Sequence, residues 1–254
     1  MKHMMKINAV GSALALAGVL AFSGQAVADT VTAKFTGMSE TGGINYTITL
    51  PPDGGNANNG STTTGIFNFT DATGPIDFFG SSNNQFVSFC IDLEDTIGVN
   101  TTVTWDVVSL SAAPDASAGP MGATKANDIA KVLGYSIGSG VLNDARLLSA
   151  AKKQAIQALI WEIVHEDPDT VGYSLTTGTA TFGGLTAAAN IEVTDILANF
   201  GSAAAMKGLV GLTNTGKQDF IGQVPIPAAA WLFGSAIVGA VALGRRKKKA
   251  ETQA

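Results

Sequence analysis

The sequence predicts an α+β fold, a β-rich sheet with a helical insert or layer. Three observations carry this. Up to residue 110 the chain alternates short runs of Thr, Val, Ile and aromatic residues with clusters of Gly, Asn and Ser. From residue 124 to 165 the apolar spacing turns helical, with few β-branched interruptions. Of the 254 residues, 46% are hydrophobic and only 14% charged, against roughly a quarter charged in an average soluble domain. That deficit directs attention to the chain ends.

Taken in order, residues 31–37, 42–50 and 65–70 read as strands, with 51–64 a flexible loop between the second and third. Residues 85–93 and 101–110 alternate in the same way, and 94–100 reads as a hairpin connection, which puts Cys90 on a strand. Val87, Phe89, Ile91 and Leu93 share one face of it, and Cys90 shares the other with Ser88 and Asp92. Residues 112–122 form a linker of small residues, and 124–133 and 143–165 have helical spacing. Ile156, Leu159, Ile160, Ile163 and Val164 fall at i, i+3, i+4, i+7 and i+8, one apolar helix face that Pro168 ends. Residues 176–186 read as strand or loop, and 191–209 as a helix interrupted near Gly201.

The ends carry separate signals. Residues 1–28 combine Lys2 and Lys6, an apolar run and a small-residue exit at Ala26 and Ala28, the pattern of a cleaved secretory signal peptide. Residues 226–244 are apolar over 19 positions, the minimum for a single transmembrane helix, and five cations beginning at Arg245 and Arg246 hold its far end inside. The body, residues 29–223, is therefore outside; residues 250–254 are a polar tail.

From residue 29 to 244 there are 8 Lys and Arg against 19 Asp and Glu, a net charge of −11. Phosphate backbones are repelled by such a body, so nucleic acid is excluded as a partner. Cys90 is the only cysteine, which excludes an intramolecular disulfide and a multi-cysteine zinc site. His165 is the only histidine of the body, and the acidic residues around it, Glu166, Asp167 and Asp169, read as a solvated helix end because they lack the alternating calcium-loop pattern. No metal, no cofactor and no enzymatic activity are expected. Trp105 and Trp161 read as core residues.

Two resemblances add to this reading. Val224-Pro225-Ile226-Pro227, the apolar run through Trp231 and the cluster after Arg245 and Arg246 resemble the PEP-CTERM sorting signal over residues 224–249, with Ile226 where that signal usually has Glu. The resemblance implies an exosortase in the inner membrane of a Gram-negative bacterium, transient anchoring there, and delivery to the cell surface or extracellular matrix. Phe89-Cys90-Ile91-Asp92-Leu93 and Ile156-Gln157-Ala158-Leu159-Ile160-Trp161 resemble the two halves of the cysteine–glutamine thioester domains of bacterial surface proteins. Carried over by position, Cys90 is the thioester cysteine and Gln157 the glutamine, with Phe89, Ile156, Ile160 and Trp161 around them. Gln154 competes, but its register puts Gln157 and Ala158 where the apolar pair belongs. This departs from the thioester pattern at Ile156 and Leu159, where Thr and Ala are favoured.

Two function classes follow. One is a covalent adhesin whose thioester captures a nucleophile on a polymer or surface. The other is a non-covalent structural protein of a biofilm or exopolysaccharide matrix, with a structural free cysteine.

Overall fold

The computed structural model describes residues 30–49, 58–74, 84–114, 119–138, 144–166 and 172–224. The segment expected to be a signal peptide, with Ala26 and Ala28, lies outside the described residues, as do Pro225, Pro227, Trp231, Arg245 and Arg246 of the expected C-terminal sorting signal. Among the described residues no helix is long and apolar enough to cross a membrane.

The frame is a curled antiparallel sheet, a half-barrel, built on one long strand. β1 (Thr30–Ile48) runs antiparallel to β2 (Asn58–Thr73) along nearly its whole length. Its other edge is shared by β4 (Thr102–Ser109), opposite residues 30–34, and β5 (Ala180–Gly183), opposite residues 45–48. Register shifts at Thr32/Lys34, Phe35/Gly37 and Ser39/Gly42 put bulges into the β1–β2 pair, which bend the strands and tighten their twist. At the last of these Glu40 adopts φ 56. The order is completed by β3 (Phe86–Ser88) beyond β2, and by β6 (Leu209–Asn214) and β7 (Lys217–Gln223) beyond β4, giving β3-β2-β1-β4-β6-β7.

Curling brings the two ends of that order together. Ile91 N–H donates to the Asp219 carbonyl (3.0 Å) and Ile221 N–H to the Phe89 carbonyl (2.9 Å), so Cys90 and Phe220 form an isolated antiparallel bridge. The Ser88 hydroxyl donates to the Ile221 carbonyl (2.6 Å) at the same seam. Inside the curl Phe35, Phe67, Phe69, Phe86, Trp105 and Phe220 meet ring to ring, at centroid distances from 4.6 Å for Phe69–Phe86 to 5.8 Å for Trp105–Phe220. The Trp105 indole N–H, which a fully buried position would otherwise strand, donates to the Gln218 carbonyl (3.0 Å).

Among the described residues, three α-helices pack on one side of this sheet. α1 (Gly122–Ser136) buries Ile129, Val132 and Leu133, and α3 (Ala187–Asn199) buries Ala189, Val193 and Ile196. α2 (Ala150–His165) lies between them and the sheet, against β1, β2 and β5. It begins where the Ser149 hydroxyl accepts from Lys152 N–H, a side-chain cap for an otherwise orphaned donor. Every residue of α2 from Lys153 to Val164 is buried, and the core of sheet and helices is one continuous cluster.

The α+β expectation stands, with corrections in detail. The two N-terminal strands are one bulged strand, and residues 58–64, expected as loop, belong to β2. Residues 94–100 do not join a hairpin, because β3 pairs with β2 while β4 pairs with β1 and β6. Helix α2 starts at Ala150 rather than 143. The helix expected to reach Leu209 ends at Asn199, and Leu209 instead opens the β6–β7 hairpin.

Candidate functional site

The site lies where the sheet seam meets the middle of α2. In an antiparallel pair, a residue whose neighbours carry the bonds to one strand turns its own N–H and C=O to the opposite edge. Ile91 and Phe89 bond to β7, so the N–H and C=O of Cys90 face away from it. Gln157 fills that edge. Its Oε1 accepts from Cys90 N–H (3.0 Å), and its Nε2 donates to the Cys90 carbonyl (2.8 Å). A side-chain carboxamide thus pairs with one residue as a neighbouring strand would. Cys90 and Gln157 are both fully buried.

The thiol is held separately. Cys90 Sγ donates to the Asp92 carbonyl (2.7 Å) and lies 3.3 Å from Asp92 N–H, which donates back to it. The Asp92 carboxylate is itself tied down, Oδ1 accepting from Glu94 N–H (2.6 Å) and both oxygens from Asp95 N–H. Burial pushes the Cys90 thiol far above the usual thiol range, and the Asp92 carboxylate adds to this. The Asp92 backbone and side-chain N–H groups of Trp161 and Gln218 oppose the rise. The indole N–H of Trp161 is buried and makes no hydrogen bond. Burial also raises the Asp92 carboxyl, against the pull of the Glu94 and Asp95 N–H groups. Cys90 is therefore a protonated thiol at neutral pH, a weak nucleophile until its proton is removed.

The other residues singled out in the sequence surround this pair. Phe89, Ile156, Ile160 and Trp161 are fully buried, Phe89 at the seam and the other three on α2. Gln154, one turn earlier, reaches β1 instead: its Nε2 donates to the Glu40 carbonyl (3.4 Å) and its carboxamide lies against Gly42. Residues 218–220 of β7 form the opposite wall and were missed, because the sequence reading assigned no strand there.

The acidic end of α2 differs from its expectation. Glu166 is not a solvated helix end; it is fully buried, with Oε2 accepting from Thr179 N–H (2.7 Å) and Ala180 N–H (3.2 Å). One turn earlier Glu162 is equally buried and accepts from Ser174 N–H (2.7 Å). Burial, with the Glu166 carboxylate adding, holds the Glu162 carboxyl up at about 8, against the Ser174 N–H. Burial, then Lys125, lowers His165 to about 4, with Glu94 opposing. Asp167 and Asp169 lie outside the described residues. Among the described residues no three His, Cys, Asp or Glu side chains come together as metal ligands.

Neither protein-family models, nor curated proteins, nor solved structures gave a match to this chain. Any functional reading therefore rests on its own residues and geometry.

Proposed function

We propose that this is a non-enzymatic exported protein of the cell surface or extracellular matrix, sorted by an exosortase and acting as a covalent adhesin through a Cys90–Gln157 thioester. The signal at residues 1–28 and the Val224-Pro225-Ile226-Pro227 tail with its basic end support the route: across the inner membrane, anchored there transiently, then outward. The two-point seating of the Gln157 carboxamide on Cys90 carries the chemistry.

In that chemistry Sγ bonds to Cδ of Gln157, the Cδ–Nε2 bond breaks, and the thiol proton leaves with Nε2 as ammonia. Charge gathering on Oε1 during attack meets the Cys90 N–H that already donates to it, the arrangement that stabilises an oxyanion. Rigid packing of strand against helix supplies the effective concentration that an attack on an amide needs. A nucleophile on an extracellular polymer or surface then takes the acyl group and regenerates the thiol.

A specific observation favours the alternative, a non-covalent matrix protein with a structural cysteine. The thiol is protonated, buried and bonded to Asp92, and both ends of the carboxamide are satisfied by backbone. In this reading Gln157 serves to finish the sheet edge.

Mass spectrometry separates them. Protein purified from the envelope of cells producing the full chain should be one ammonia lighter than its sequence, and a Cys90→Ala protein should not. Methylamine should restore the thiol and leave a methylamide at Gln157. An unshifted mass with a free thiol would defeat the covalent reading and leave the structural one.

A further inference from the structure

We propose that the outward face where β5 joins β1 binds a neutral, hydroxyl-rich polymer, a polysaccharide without charged groups. A groove of about 310 Å³ opens there, lined by Asn45 and Thr47 of β1, Thr181 and Phe182 of β5, and Leu175 and Thr176 of the turn before it. Its size is at the lower end for ligand sites, about 300–1,000 Å³.

The alternation of β1 explains the lining. Ile44 and Ile48 point into the core, so Asn45 and Thr47 point out. Across the β1–β2 pair, Ser61 lies opposite Asn45 and Asn59 opposite Thr47, both exposed, which continues the same chemistry over the next strand. No Asp, Glu, Lys or Arg occurs in residues 41–49, 58–70 or 172–190, the segments that build this corner, although the body carries a net charge of −11. Hydroxyl and carboxamide side chains both donate and accept, as sugar hydroxyls do. An uncharged corner gives a charged polymer no ion pair, and the acidic remainder repels a polyanion. Leu175 and Phe182 are buried and form only the floor beneath the groove, so its open surface is made by hydroxyl and carboxamide groups.

The inference rests on the reading of the chain as an exported surface protein, and not on the thioester. It is tested by native affinity electrophoresis of the protein purified from cells producing the full chain, in gels cast with dextran, hydroxyethyl cellulose or galactomannan, all neutral, or with anionic alginate. At least one neutral polymer should retard the protein and alginate should not. A Thr47→Asp/Thr181→Asp double variant should lose about tenfold in apparent affinity. Thr47→Ala/Thr181→Ala, which removes only the hydroxyls, should weaken it in the same direction, and serves if the charged variant fails to fold. Thr102→Asp, on the exposed side of β4, and Cys90→Ala should bind as the parent does. Absence of retardation by all three neutral polymers, equal retardation by alginate, or unchanged binding by both groove variants would overturn the proposal. Loss of retardation in Cys90→Ala would also overturn it, by assigning the interaction to the covalent site.

Discussion

Replacing Gln157 by Glu changes one atom at the centre of the site and converts a hydrogen-bond donor into an acceptor. One carboxylate oxygen can still accept from Cys90 N–H, but the other would face the Cys90 carbonyl, where Nε2 now donates at 2.8 Å. The position is fully buried, so ionisation there is opposed by desolvation as well as by the carbonyl. Protonation cures both faults, because a neutral acid can donate to that carbonyl. Burial of this kind raises a carboxyl pKa by about 3–5, at about 1.4 kcal/mol for each pH unit. The Gln157→Glu variant should therefore lose about 4–7 kcal/mol between acid and alkaline pH, out of about 5–15 kcal/mol for a typical domain. The sign follows from the raised folded-state value: stability is present below the ordinary Glu range, about 4.3, and is lost as pH rises through the folded pKa. The comparison belongs in a Cys90→Ala background. That change removes any thioester yet keeps the backbone N–H and C=O to which Gln157 bonds. Urea denaturation across pH, with and without Gln157→Glu, gives the difference directly. A difference that does not vary with pH would refute the dry, two-point pairing.

Two further predictions concern the polar groups of α2. Lys153 is nearly fully buried and pairs with Glu40, which is 43% exposed at its side chain, and also donates to the Arg146 carbonyl. Removing Glu40 leaves a buried cation unpaired while removing Lys153 leaves a carboxylate that water can reach, so Glu40→Gln should cost about 3 kcal/mol and Lys153→Met clearly less; equal losses in chemical denaturation would contradict this. Glu162, held up at about 8, makes stability fall as pH rises from the ordinary carboxylate range through that value. Glu162→Gln should flatten that fall, and an unchanged pH profile would show that Glu162 is not its source.

Local signals were legible and distant pairings were not. The apolar spacing of Ile156 to Val164 located α2, whereas Gln157 was singled out by the resemblance to thioester domains and not by that spacing. What it could not convey is that α2 is buried on all sides, so that Lys153, Gln154, Gln157 and Glu162 each reach a partner in a different part of the fold rather than water. The alternation around Cys90 marked an extended segment, but its neighbours, β2 and β7, come from distant parts of the chain, and only the curl of β1 brings them there. The β6–β7 hairpin was lost because residues 191–199 begin a helical pattern that the apolar residues up to Leu209 prolong. Its signal was present in Asn214-Thr215-Gly216, a turn with Gly216 at φ 81 between two β-rich runs.

The junction of β7 with the rest of the chain bears on mechanics. β7 ends at Gln223, and Val224 N–H is fastened to the Gly208 carbonyl (2.8 Å) before the chain continues toward its C-terminus. Tension applied beyond Val224 enters the domain through this strand. Its partners are β6 on one side and residues 89–91 on the other. A pull on the tail is thus passed to the backbone of Cys90, and through the Gln157 carboxamide to the central helix. The link between Cys90 and Gln157 lies on the far side of that seam, so a covalent bond there would fasten residues 89–91 to α2 while their junction with β7 would still rest on hydrogen bonds.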